Sequence, residues 1–117
     1  MNKMSETRKP HQEEKDLVYV TGKSKYLEGE KVPIGKVLRV SHISGQFENC
    51  ATSEYVELGY YNGHAYVPLK KDVPAVAGDP VHWNNNVWLR EEQYPYAYFT
   101  NVANGEKMKL RVEGRWE

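Results

Sequence analysis

The residues able to do chemistry are few and scattered. Four histidines, His11, His42, His64 and His82, fall on four different segments, with no HExxH or CxxC spacing to set two ligands on one face. A zinc site would have to be assembled wholly by the fold. The adjacent carboxylates Glu13-Glu14 and Glu91-Glu92 do not offer the acid and base of a hydrolase. Neighbouring residues of a strand point to opposite faces, whereas hydrolysis needs two carboxylates across one substrate. Cys50 is the single cysteine, and no histidine-rich stretch beside it activates the thiol, so it reads as a small core or strand-end residue. The patterns GxSxG, GxxxxGK[ST] and GxGxxG are all absent. The expectation is a protein that is not an enzyme, with no catalytic residue, no metal and no cofactor.

What the sequence offers instead is aromatic surface. Residues 78–89 read GDPVHWNNNVWL. Gly78-Asp79-Pro80 is turn chemistry. Asn84-Asn85-Asn86 between Val81-His82-Trp83 and Val87-Trp88-Leu89 predicts a hairpin, because asparagine is the non-glycine residue that best tolerates left-handed backbone. Alternation sends one tryptophan to the core and leaves the other for a surface. With Asn85, Glu91 and Glu92 close in sequence, Trp88 also has the makings of a sugar platform. Tyr94-Pro95-Tyr96-Ala97-Tyr98-Phe99 puts Tyr94, Tyr96 and Tyr98 on one side of a strand. Tyrosine suits subunit contacts, where the ring is buried and the hydroxyl stays wet; core filling is the competing reading. Lys107, Lys109 and Arg111 make one cationic ladder, as in RNA-binding barrels. Glu106 and Glu113 bracket it, and the chain has no net charge to draw a polyanion. Nucleic acid is not expected as a partner.

These side chains must be positioned by β-structure. Residues 1–16 carry four basic and four acidic side chains and no aromatic ring, too little apolar surface to offset ordering entropy. They are expected to be a flexible polar arm, either a tail without a role or a segment that orders against a partner or neighbouring subunit, followed by one β domain over residues 17–117. Residues 17–21 are strand-like and end at Gly22. Residues 31–43 predict a bent or bulged strand around Pro33 and Gly35, with residues 44–51 a loop. Residues 54–61 alternate, and Asn62-Gly63 then predicts a type I′ hairpin into Ala65, Val67 and Leu69. Asn104-Gly105 repeats the device between residues 97–102 and 108–112, where Met108, Leu110 and Val112 face the core. No window keeps helical spacing for three turns. The fold class expected is all-β, a small barrel or sandwich of about seven or eight short strands.

Bulk properties agree. A chain of 117 residues with 39% hydrophobic content and mean hydropathy −0.79 builds one domain with a small core, which makes oligomerisation an expectation. A single cysteine excludes an intrachain disulfide and fits a reducing compartment. The N-terminal residues hold no apolar signal region, and no uncharged run approaches the roughly 20 residues of a membrane span, so no membrane partner is expected.

The run YVELGYYNGHAYVPLKKDVPAVAGDPVHWNNNVWL, residues 55–89, resembles the phage capsid cement, or head decoration, proteins. The matching features are Glu57-Leu58 before the turn at Asn62-Gly63, the strand Tyr66-Val67-Pro68-Leu69-Lys70, the link Ala75-Val76-Ala77, and Gly78-Asp79-Pro80-Val81-His82-Trp83. Residues 105–112 are similar to the family's final strand and residues 32–37 to its opening one, so the resemblance spans residues 30–113. The chain departs from the family in its charged arm, its tyrosine and tryptophan content and an interruption at residues 91–96. The resemblance implies a structural virion protein that binds the outer surface of a phage head as a trimer and stabilises the capsid. Its partners would be the major capsid protein and itself, and it would be made in the bacterial host cytoplasm. Residues expected at capsid or subunit contacts are Arg8, Lys9 and Pro10 in the arm, with Trp88, Tyr94, Tyr96 and Tyr98. The alternative is an adhesin-like carbohydrate-binding β module using exposed Trp and Tyr.

Overall fold

The computed structural model describes residues 10–19, 24–48, 55–74, 76, 78–100, 102 and 106–117, with the side chains of residues 17–19 outside the description. Alternating apolar and polar side chains turn one face of each strand inward, and the described residues form eight strands and no helix. In chain order these are β1 (Pro10–Tyr19), β2 (Lys25–Glu28), β3 (Leu38–Phe47), β4 (Val56–Tyr61), β5 (Tyr66–Asp72), β6 (Val81–Leu89), β7 (Tyr94–Phe99) and β8 (Glu106–Trp116). They make two antiparallel sheets, β1-β8-β3-β6 and β2-β7-β4-β5, packed face to face. The architecture is the sandwich of the two expected alternatives.

The core lies between the sheets. Val40, Ile43 and Phe47 of β3 and Met108, Leu110 and Val112 of β8 meet Val56 and Leu58 of β4 and Ala97 and Phe99 of β7, all but wholly buried. Gly45 marks a close approach of the sheets: a Cβ there would sit 2.8 Å from Val56 Cγ1 and 3.1 Å from Leu58 Cδ2. Pro95 lies within β7, the strand between β2 and β4, where a missing N–H normally breaks a ladder. Its carbonyl accepts from Gly29 N at 2.8 Å. In a strand the N–H points the same way as that carbonyl, so the bond proline cannot make is the reciprocal one to Gly29 O, and β2 ends one residue earlier, at Glu28.

Several expectations are corrected. Residues 10–16, read as a flexible arm, open β1 and pair with β8 from Pro10↔Arg115 to Asp16↔Lys109. Their charges are matched there: Glu14 meets Lys109 and Arg111, and Asp16 meets Lys107, across the outer face of the sheet. The inward-facing Glu13 accepts the Glu30 N–H at 2.6 Å. Residues 1–9 lie outside the described residues. The three asparagines do not form a hairpin, since β6 runs unbroken from Val81 to Leu89 along β3. Asn85 and Asn86 together oppose Ser41 in a β-bulge, between the pairs Val40↔Val87 and His42↔Asn84. Backbone tolerance in asparagine serves a bulge as well as a turn.

Residues 44–47 continue β3 rather than starting a loop. Residues 103–105, with the expected turn at Asn104-Gly105, lie outside the described residues, but the strands on either side are not hairpin partners. β7 belongs to one sheet and β8 to the other. The hairpin at Asn62-Gly63 is present, with a loop longer than type I′. Tyr61 pairs with Tyr66, Asn62 N donates to Ala65 O, and Asn62 Oδ1 accepts from His64 N and Ala65 N.

Candidate functional site

The tyrosines singled out in sequence converge on the outer face of the second sheet. Register places Tyr98 beside Tyr26 and Glu57, Tyr96 beside Glu28 and Gly59, and Tyr94 beside Tyr61, which in turn pairs with Tyr66. The missing Cβ of Gly59 lets the Tyr96 ring lie across the strand, since that Cβ would fall 2.9 Å from Tyr96 Cε1. Tyr66 and Tyr26 close over it edge-on, with ring centroids at 4.9 and 5.4 Å. Three of the hydroxyls are spoken for within the sheet. Tyr66 and Tyr94 both donate to Glu28 Oε2 at 2.7 Å, and Tyr96 donates to Glu57 Oε2 at 2.7 Å. Burial, then the neighbouring Tyr66 and Glu28, pushes the Tyr94 hydroxyl pKa far above its usual value; burial and Glu57 do the same to Tyr96. This is a face that has packed against itself. A shallow cavity beside it is lined by Glu28, Tyr61, Tyr66 and Tyr94, with the Lys31 and Glu92 ion pair at its rim.

The outer face of the first sheet is polar and divides into two ends. At one end Lys107, Lys109 and Arg111 of β8 are neutralised by Glu14, Asp16 and Glu48 at 2.9–3.8 Å. The cationic ladder read from the sequence exists, but its charge is satisfied within the chain. In the middle His42 and His82 share one hydrogen bond, Nε2 to Nδ1 at 2.9 Å, with Glu113 3.7 Å from the other ring nitrogen of His42. Burial lowers the His42 pKa against the opposing pull of Glu113. Among the described residues no group of three histidine, cysteine or carboxylate side chains is placed to hold a metal ion.

The far end is different. Arg115 of β8, Arg39 of β3 and Trp88 of β6 stand in a row across the sheet as direct cross-strand neighbours. The positions flanking Arg39 in β3, Leu38 and Val40, point to the core, so alternation turns the row outward. Trp88 is 51% exposed on an edge strand, its indole N–H held by Glu117 Oε1 at 3.2 Å. Arg90 follows two residues on, lining a depression with Val37 and Ile34, which is 81% exposed in the turn closed by Lys36 N to Pro33 O. Arg39, Arg90 and Arg115 make no ion pair among the described residues. Arg39 Nε is shielded from water without a hydrogen-bond partner.

The contact residues expected from sequence therefore separate. Trp88 and Pro10 are exposed, Tyr98 is half-buried, and Tyr94 and Tyr96 are buried, Tyr96 completely. Core filling, in the form of a covered outer face, accounts for those two. Arg8, Lys9 and Cys50 lie outside the described residues. The arginine row went unread: alternation marks Arg39 and Arg115 as outward positions, but only the register between β3 and β8 makes them neighbours. Comparison of the chain with models of known protein families and with curated proteins finds no match.

Proposed function

We propose that the chain is a structural protein of a phage head, a decoration protein that binds the outside of the shell and stabilises it, working as a trimer. The observation that carries this reading is the contrast between one patch and the tyrosine face and basic ladder. The hydroxyls of Tyr66, Tyr94 and Tyr96 and the cations of the ladder are satisfied internally, whereas Trp88 and Ile34 stand exposed beside arginines that make no ion pair among the described residues. Exposed tryptophan and arginine are the side chains that most often carry protein–protein binding energy. The sequence resemblance supplies the kind of partner. Several linked subunits that span adjacent capsomers turn modest contacts into near-irreversible attachment, and a two-sheet body with a dry core transmits load without deforming.

The test is co-sedimentation of the chain with shells assembled from the major capsid protein encoded nearest to its gene, with the oligomeric state measured in solution and on the shell. Saturable binding at a fixed ratio per capsomer, with shells that survive higher temperature, supports the reading. Absence from the shell fraction rejects it. A carbohydrate-binding module is the second reading, favoured by the cavity among Glu28, Tyr61, Tyr66 and Tyr94. Glycan binding lost in Tyr61→Ala or Trp88→Ala, with no affinity for shells, would support it.

A further inference from the structure

We infer that the row Arg115, Arg39 and Trp88, extended by Arg90, is a docking site for an acidic protein segment: one or two Asp or Glu carboxylates beside an apolar side chain. Like charges directly opposed across two strands destabilise a sheet, and here Arg39 and Arg115 face each other with no acid between them among the described residues. The chain is able to neutralise such positions, as it does at Lys107, Lys109 and Arg111. Arg39 also holds its Nε away from water with no acceptor among the described residues, a desolvation cost that an arriving carboxylate offsets. Two planar guanidinium groups side by side match the two oxygens of a carboxylate. Trp88 gives the neighbouring side chain an apolar floor, its ring angle fixed by Glu117.

The surroundings select a protein carboxylate over an extended polyanion. Glu113, Glu117 and Glu91 border the patch, on β8, just beyond it, and beside Arg90. A nucleic-acid backbone or an anionic membrane would have to pass over these acids, while a single acidic side chain reaches the row between them. The inference deepens the decoration reading, on which the identity of the partner as a shell protein rests; the chemistry of the site stands on the row itself.

The experiment uses the full chain and a short fluorescein-labelled peptide of glutamate and glycine with one central leucine, titrated by fluorescence anisotropy. Arg39→Gln and Arg115→Gln should each weaken binding roughly ten-fold, the loss of one charge-assisted contact. Lys70→Gln, which removes an exposed positive charge from the other sheet, should change it less than about two-fold. Arg39→Lys, which keeps charge and loses the fork, should fall between, and near-UV circular dichroism verifies that each variant is folded. Equal effects of the arginine variants and Lys70→Gln would overturn the inference, as would failure of the parent chain to bind the peptide. So would tighter, arginine-dependent binding of oligothymidylate or phosphatidylserine vesicles. Peptide binding without shell binding would reject the decoration reading alone; shell binding indifferent to both arginines would reject the docking site alone.

Discussion

Replacing Tyr96 by Phe tests whether the tyrosine face is held by its hydroxyls or only by its rings. The ring would keep its place over Gly59 and between Tyr26 and Tyr66, so burial and ring geometry are retained. What is lost is the 2.7 Å hydrogen bond to Glu57 Oε2. Hydrogen bonds to charged groups contribute about 1.5–3 kcal/mol. Glu57 is only half-buried, so water can partly replace the lost donor and the lower end applies, about 1.5 kcal/mol. For a domain near 100 residues each kcal/mol moves Tm by about 4–8 °C, giving a fall of roughly 6–12 °C. Urea unfolding followed by tryptophan fluorescence should show a lower midpoint with an unchanged m-value. Tyr98→Phe, on the same face with a half-buried ring, should lie within about 0.5 kcal/mol of the parent. A Tyr96→Phe chain as stable as the parent would refute the claim that internal acids hold this face.

Glu92 sits at φ 69° in the turn closed by Gln93 N to Arg90 O, a conformation costing a non-glycine residue about 1–2 kcal/mol. Glu92→Gly should therefore raise the unfolding free energy by about 0.5–1 kcal/mol in urea denaturation, after allowing for the greater entropy of unfolded glycine. Gly45→Ala places a methyl group 2.8 Å from Val56 Cγ1 and should destabilise by about 1–3 kcal/mol in the same assay. Tyr94 and Tyr96 have raised pKa values when folded, so the unfolded chain ionises first. Stability should be level up to about pH 10 and fall above it, by about 1.4 kcal/mol per pH unit for each tyrosine held neutral, with tyrosinate absorbance appearing together with unfolding. The lowered His42 pKa works in the opposite direction: its contribution is present above the unfolded value near 6.5 and is lost as pH falls below it. Urea midpoints should drop on mild acidification in the parent and less so in His42→Gln.

Much of the architecture is legible because strand periodicity is local. β8 announces itself through Met108, Leu110 and Val112 alternating with Lys107, Lys109 and Arg111. β4 and β5 are joined where Asn62-Gly63 stands, although the loop has four residues. What stays hidden is pairing between distant segments. Nothing local says that Glu14 will meet Arg111, so charged residues 10–16 look like a tail until β8 is laid beside them. Three asparagines favour a reversal, yet the partner strand β3 turns the same tolerance into a bulge at Ser41. That bulge also sets the register that brings Arg39 against Arg115 and Trp88, so the row cannot be read before the sheet is known. The alternation of Tyr94, Tyr96 and Tyr98 is visible in sequence and suggests contact residues, while the acids that occupy the Tyr94 and Tyr96 hydroxyls, Glu28 and Glu57, come from other strands.

The central claim is that this chain works by protein contact through the Trp88 end of its first sheet. Hydroxyl-radical footprinting of the chain, free and bound to assembled shells, tests it most directly because it reads side-chain exposure residue by residue. Trp88 and Ile34 should be oxidised in the free chain and protected on the shell, with Tyr61 and Tyr98 unchanged. Protection of the tyrosine face with Trp88 still reactive, or no protection anywhere, would contradict the account.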